Sequence, residues 1–242
     1  MFPEIDTRVS PSIHPDCIKH LDVYTESTAP YVSSAIGALT GAYQAVASVH
    51  NARAAASQNP VWNEAEQLIR TDDLAQEKIV GVAKALDASM SELGKKSEEI
   101  ENHLTQPLVS KASLSMSQEI RAHVKPMENG ERLAFIRQAI QQGDEVTVTA
   151  LLGAPSYLCG LKQDMHGVHV RMWHEKNSPE LAARLNAIQA VRDYLGRNSG
   201  LIHSEMSKAV GTLTDSKTGQ KFTPHQLRKA KKASEAAFYG KH

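Results

Sequence analysis

Three histidines fall within the stretch QDMHGVHVRMWHEKN at residues 163–177. His166, His169 and His174 carry imidazole nitrogens that bind Zn²⁺, and Cys159 lies upstream as a candidate thiolate ligand. On a helix, His166 and His169 share a face, but His174 lies about 140° from His169 at 100° per residue. The HExxH pattern of helical zinc sites is absent. The spacing therefore favours histidines at a packing surface, and we predict no metal ligand.

No other pattern in the sequence indicates catalysis. The chain has no GxSxG motif, no GxxxxGK[ST] or GxGxxG phosphate loop and no CxxC pair. Its two cysteines, Cys17 and Cys159, are far apart, which argues against a disulfide framework and fits a reducing compartment. We therefore predict no catalytic residue and no cofactor, in a protein that is not an enzyme.

The elements that carry these residues are predicted to be helices. Hydrophobic residues make up 41% of the 242 residues but aromatic residues only 5%, so the core must be built mainly from Ala, Leu, Ile, Val and Met. Ala and Leu are good helix formers. Basic and acidic residues balance at 27 each, so the chain as a whole is not attracted to nucleic acid or to an anionic membrane. The composition predicts an all-α protein.

A long antiparallel helical hairpin is predicted over residues 29–106. The first helix begins near Ala29–Pro30, since proline is tolerated in a first turn. The second runs from about residue 62 to 103, or about 60 Å, with a heptad rhythm of apolar residues. The glycines of the first helix are expected to allow a close approach of another backbone. The predicted helix-packing residues are Val32, Ile36, Gly37, Leu39, Gly41, Ile79, Leu86, Met90, Leu93 and Ile100.

The first helix also raises the question of a membrane span. No charged residue occurs over residues 27–49, which is long enough to cross a bilayer. Ser, Thr, Gln, Gly and Tyr dilute its hydropathy throughout. We therefore expect this helix to pack against protein, although an internal protein whose residues 27–49 enter a membrane stays an alternative.

Shorter helices are predicted over residues 107–212, as a small helical domain packed on the hairpin. One ends at Gly143, and Asp144 caps the next helix, for which a strand at 146–149 is the less favoured alternative. A further helix starts at Ser178–Pro179 and is interrupted by GRNSG at 196–200.

The two ends of the chain differ from the centre. Residues 1–28 hold three prolines and no helical period, which predicts an extended arm. Residues 213–242 form a basic tail whose predicted partner-binding residues are Arg228, Lys229, Lys231 and Lys232. We expect the arm to lie on a neighbouring chain and the tail to face acidic side chains or nucleic acid.

Residues 128–190 resemble helical proteins of tailed bacteriophages and prophages. The similar segments are ERLAFIRQAIQQGD, LLGAPSYLCGL and a helix ending near PELAARL, which together cover about a quarter of the chain. The resemblance implies a structural virion protein at the neck, portal or capsid, present in the virion and, during assembly, in the host cytoplasm. Its expected partners are copies of itself and other virion proteins. A helical protein associated with nucleic acid through the basic tail is a second alternative.

Overall fold

The structure, a computed structural model, describes residues 3–215 and 218–239. Regular structure in this part is helical apart from one antiparallel pair of two-residue strands, β1 (Leu213–Thr214) and β2 (Lys221–Phe222). The all-α class is confirmed. The helices are α1 (Asp16–Lys19), α2 (Ala29–Ser57), α3 (Glu64–Leu104), α4 (Leu114–Val124), α5 (Asn129–Gln142), α6 (Glu145–Leu152), α7 (Gln163–Asn177), α8 (Pro179–Val210) and α9 (Pro224–Tyr239), with 3₁₀ turns at Pro11–Ile13 and Ser156–Cys159.

The chain divides into two compact units. Unit 1 combines residues 1–94 with 187–242, and unit 2 comprises residues 95–186. This division differs from the domain boundaries predicted at 106/107 and 212/213. The predicted boundary at 106/107 coincides with a proline, whereas the units divide within α3 and α8, where no loop or turn marks the change.

Helix α2 and the part of α3 that belongs to unit 1 form the predicted antiparallel hairpin. The chain reverses over residues 58–63, and Asn63 caps α3 by accepting a hydrogen bond of 2.8 Å from the Glu66 amide. Near the start of α2, the Ser34 hydroxyl lies 3.4 Å from the Ser89 hydroxyl of α3. The buried residues of α2 are Val32, Ala35, Ala38, Leu39, Ala42, Tyr43, Ala45, Val46, Val49 and Ala56.

The buried side of α3 departs in part from the predicted heptads. Leu93 and Ile100 are buried as predicted, but Leu86 is only half-buried. Val82 and Ser89, which the heptads left out, are buried instead. A polar residue such as Ser89 carries no apolar signal, so the pattern alone could not place it. The predicted packing residues that are half-buried are Ile36, Ile79, Leu86 and Met90.

The close approach predicted at the glycines of α2 is wrong. Gly37 and Gly41 are exposed, and a methyl group added at either would meet nothing within 4 Å. The small residues buried on this helix are alanines such as Ala38 and Ala42. Each of the two glycines precedes one of these buried alanines by one position. The glycines therefore lie on the exposed side of the helix.

The N-terminal segment is not an extended arm. It contains α1 and a 3₁₀ turn, and Ile13 and Ile18 are fully buried in its own chain. The Asp6 amide donates to the Tyr43 hydroxyl at 2.6 Å, and that hydroxyl donates to the Asp6 carbonyl at 3.2 Å. The prediction of an extended arm is wrong because Val9, Ile13 and Ile18 are buried in their own chain, which the prolines did not reveal.

Helix α8 is continuous, so the predicted interruption at 196–200 is wrong. Gly196 and Gly200 lie inside the helix, at a propensity cost of about 1 kcal/mol each. Leu195 and Ile202, on either side of the break that was predicted, are both buried. Burial of these side chains offsets the poor helix propensity of the glycines.

Unit 2 has its own core, to which α4 to α7 contribute. Gly143 ends α5 in the left-handed conformation, with φ 75°, and Asp144 caps α6 by accepting from the Thr147 amide at 3.0 Å. Both predictions are confirmed, as is the helix rather than strand at α6. The buried core residues are Val124, Ile136, Ala139, Ile140, Val148, Leu151, Leu152, Cys159, Leu161, Val170 and Trp173.

Candidate functional site

The histidines of α7 lie in separate environments. His169 is buried, and its Nδ1 donates to the Met165 carbonyl of the preceding turn at 2.6 Å. His174 Nε2 instead donates to the Gln106 carbonyl at 2.9 Å. In the described part of the chain, no three His, Cys, Asp or Glu side chains are grouped so that they could hold a metal ion. His169 and His174 therefore make hydrogen bonds to backbone carbonyls, and His166 is half-buried.

Cys159 is a core residue of unit 2. Its thiol is fully buried and donates to the Leu151 carbonyl at 3.1 Å. Burial raises the pKa of this thiol, because the thiolate would lose its hydration. At neutral pH, Cys159 is therefore a protonated packing residue rather than a nucleophile or a thiolate ligand.

The basic cluster of α9 is partly neutralised within unit 1. Arg228 forms ion pairs of 2.6 Å with both Asp72 and Asp73, and Lys231 lies 3.0 Å from a Glu66 carboxylate oxygen. The other two predicted partner-binding residues are Lys229 and Lys232, which are exposed. The four residues thus divide into two that face acidic side chains of their own chain and two that face solvent.

The ion pairs of α9 also shift pKa values in the expected directions. The Lys231 ammonium donates to Glu66 and lowers the pKa of that carboxyl. Burial alone would lower the pKa of Arg228, but hydrogen bonds to Asp73 and Asp72 outweigh it and raise that pKa. Glu66 and Arg228 are therefore charged at neutral pH.

A buried carboxylate fixes the N-terminal segment to α8. The side chain of Glu205 is 3% exposed, accepts a hydrogen bond of 2.9 Å from the Ser10 amide and pairs with Lys208 at 2.6 Å. Burial alone would raise the pKa of Glu205, but these two donors lower it overall. Glu205 is therefore ionised in the folded protein and holds the backbone at Ser10 in place.

The Glu205 contacts predict a pH-dependent stability difference. Because the folded-state pKa lies below the unfolded one, the contribution of the carboxylate is fully present above the unfolded pKa and is lost as the pH falls through the folded pKa. Glu205→Gln should lower the free energy of unfolding by about 1–2 kcal/mol near pH 7. Denaturant titrations should show this difference shrinking below about pH 4. A difference that stays constant down to about pH 2 would exclude an ionised Glu205 as its cause.

Arg132 is a structural residue of unit 2 that the sequence patterns did not reveal. Its guanidinium donates to the carbonyls of Val124, Lys125, Met127 and Gly160. These carbonyls lie at the end of α4, in the turn before α5 and at the end of the 3₁₀ turn at 156–159. One side chain therefore joins three segments, at sequence separations that no local pattern records.

Unit 2 also carries large apolar side chains that face solvent. We call Val109, Leu114, Met116 and Tyr157 the apolar set; they are 79%, 74%, 50% and 70% exposed. They lie on elements that pack together, because α4 contacts both α6 and the 3₁₀ turn at 156–159. The segment before α4 is held by a hydrogen bond of 3.0 Å from the Lys111 amide to Thr149 of α6.

An exposed set of this kind is the strongest indication of a functional surface in unit 2. Large exposed apolar patches on folded proteins mark protein–protein or membrane interaction sites and ligand-binding grooves. The sequence patterns missed the set because Val109 precedes α4 and Tyr157 follows α6, so no single helical period includes both.

Comparison with known proteins identifies no relative: no family model matches the chain, and neither a curated protein nor a solved structure is significantly similar to it. Among the residues that the structure describes, no helix is long and apolar enough to span a membrane.

Proposed function

We propose that the protein is a non-enzymatic structural protein of a tailed-phage virion, associated with the neck, portal or capsid. In this proposal it acts in several copies, through surfaces formed by its helices. The observation that carries the proposal is the apolar set of unit 2. The resemblance of residues 128–190 to phage proteins supports the virion context, and that stretch includes Tyr157 of the apolar set.

The physical argument for an assembly role rests on exposed apolar area. Leu114 and Tyr157 each leave most of their side chain in water, where apolar surface costs about 25 cal/mol per Å² relative to burial. A partner that covers the apolar set would recover this free energy. The helical framework behind it is held by Arg132 and by the Lys111–Thr149 hydrogen bond, so little further ordering is needed on binding.

The two alternatives have weaker support. An ejected protein would have to expose α2 to lipid, whereas Leu39, Tyr43 and Val46 are buried in unit 1. A nucleic-acid-binding role would use the basic tail, but Arg228 and Lys231 already pair with carboxylates of α3. Each alternative therefore needs a rearrangement that the assembly role does not need.

The apolar set gives a direct test of the assembly role. In a phage or prophage that encodes the chain, Leu114→Asp combined with Tyr157→Asp should lower incorporation into particles by about tenfold or more, because charges replace apolar contacts. Immunoblots of gradient-purified particles measure incorporation, and circular dichroism of the purified variant checks its fold.

Val61 provides the matched control. It is 84% exposed and lies in the turn between α2 and α3 of unit 1, whereas the apolar set belongs to unit 2. Val61→Asp should be incorporated at the level of the unchanged chain. If the double variant at 114 and 157 also keeps normal occupancy, the apolar set does not mediate assembly.

A further inference from the structure

Helix α9 is held on α3 by a specific arrangement of charges. Arg228 Nη1 lies 2.6 Å from Asp72 Oδ2, and Nη2 lies 2.6 Å from Asp73 Oδ1. One helical turn further along α9, Lys231 Nζ lies 3.0 Å from Glu66 Oε2. Because the residue number rises along α9 while it falls along α3, the two helices are antiparallel at this contact.

The carboxylates of α3 at this contact require a cation. Asp72 is 8% exposed, and a carboxylate removed from water to this extent is costly unless a positive group pairs with it. The planar guanidinium of Arg228 divides its two ends between Asp72 and Asp73, a geometry that a single ammonium cannot reproduce. We call Glu66, Asp72 and Asp73 the acidic surface of α3.

The contact is narrow compared with the length of α9. Residues 229–236 are all exposed, and Phe238 near the end of the helix is 84% exposed. Leu227 and Arg228 are only half-buried. The attachment of α9 therefore depends mainly on ion pairs, which are individually weak at a surface and are screened by salt.

The connection to α9 is long enough to reach another molecule. Thirteen residues, 211–223, separate the end of α8 from the start of α9. When extended, they span up to about 45 Å. Within this connection β1 and β2 pair over only two residues each, and a two-stranded ladder of this size adds little stability.

We propose that the acidic surface of α3 binds α9 of a second copy of this chain, so that copies become linked by exchanging their C-terminal helices. The exchanged helix makes the same three ion pairs as in a single chain. Because the basic α9 and the acidic surface of α3 are complementary in charge, the partner is another copy of the same chain. In one chain the tether holds α9 at an effective concentration in the millimolar range. Exchange can therefore compete with the contact inside one chain only where many copies lie close together. The multi-copy role proposed above provides that condition, and this inference rests on it.

Charge reversal on opposite sides of the contact tests the exchange with the full chain. The first variant carries Arg228→Glu and Lys231→Glu, which place an acidic α9 beside its own acidic surface. The second carries Glu66→Lys and Asp73→Lys, which place the native basic α9 beside lysines. In each variant alone, like charges dominate both the internal and the exchanged contact, and only the Arg228–Asp72 pair is kept in the second variant, so each should be monomeric. In a mixture, each α9 finds an attractive surface only on the other variant.

Light scattering coupled to size exclusion should therefore show a one-to-one dimer in the mixture. The dimer should appear at protein concentrations about tenfold or more below those at which either variant alone associates. It should dissociate at about 1 M salt, where the screening length falls to about 3 Å. A mixture that stays monomeric at low salt overturns the proposal and shows that α9 serves only its own chain. Dimers of one variant alone under the same conditions also overturn it.

Two further controls keep the test decisive. Circular dichroism of each variant checks its helical content, and the milder pair Lys231→Glu and Glu66→Lys repeats the experiment if the double changes unfold the chain. Both of those side chains are partly exposed, so their reversal leaves the core intact. The apolar set is unchanged in all variants, so a failed exchange leaves the particle test of the proposed function unaffected.

Discussion

Leu93→Ala is expected to lower the free energy of unfolding by about 2–5 kcal/mol. Leu93 is fully buried on α3 in unit 1, so the shorter side chain removes apolar contacts and leaves a cavity. The width of this range of free energies reflects how far the neighbouring side chains can relax into the cavity. Denaturant unfolding followed by circular dichroism at 222 nm measures the change, with the helical signal reporting on the hairpin.

Two other positions on α3 are controls for Leu93. Val80 is 54% exposed, so Val80→Ala should cost about 0.5 kcal/mol or less. Leu86 is half-buried, so Leu86→Ala should fall between the two, whereas the heptad prediction places it level with Leu93. Equal effects at Leu86 and Leu93 would favour the heptad seam over the buried side that the structure shows.

Gly153→Ala is expected to destabilise the protein by about 3 kcal/mol, because no space exists for a methyl group. A Cβ at Gly153 would lie 2.5 Å from the Thr149 carbonyl oxygen, 2.8 Å from the Leu108 carbonyl oxygen and 3.2 Å from the Ser110 amide nitrogen. All three are backbone atoms, so no side-chain rotation relieves the overlap. Relief would require the last turn of α6 to distort and the segment before α4 to move away from α6. The free energy of unfolding of purified protein is the measurement.

Gly130 is the matched glycine for this experiment. It lies in the first turn of α5, and a methyl group there would meet nothing within 4 Å. Gly130→Ala should therefore be neutral or stabilising by up to about 1 kcal/mol, since alanine has the better helix propensity. If Gly153→Ala were as well tolerated as Gly130→Ala, the close packing of the 108–110 segment on α6 would be refuted.

Helix boundaries could be predicted from the sequence wherever a local chemical signal exists. Pro30 lies in the first turn of α2, Gly143 ends α5 and Asp144 caps α6, each within a few residues of the predicted position. These signals act over one helical turn and need no knowledge of the rest of the chain. The all-α class follows from the same local information, summed over many turns.

Features that depend on distant parts of the chain could not be predicted. The prolines of the first residues indicated an extended arm, but Ile13 and Ile18 find a buried site in their own chain. The glycines at 196 and 200 indicated a break, but burial of Leu195 and Ile202 keeps α8 continuous. In each case tertiary packing outweighs a local preference, which for a glycine within a helix is about 1 kcal/mol.

The candidate sites show the same limit. The basic cluster of α9 was recognisable from its composition, but the carboxylates that face Arg228 are more than 150 residues away. A signal was present, because Glu66 and Asp73 are seven residues apart on α3 and so share one side of that helix. Nothing in the sequence says that this side faces α9. The exposure of Leu114 and Tyr157 likewise depends on which helices pack against each other in the fold. The periodicity of the sequence does not contain that information.

The most direct test of the structural role is the protein composition of purified particles. Particles from a strain that encodes the chain are banded on a density gradient, and quantitative mass spectrometry measures the copies of the chain per particle against a capsid or tail component. The proposed function predicts that the chain co-purifies with complete particles at a fixed ratio of several copies. Complete, infectious particles that lack the chain would contradict it.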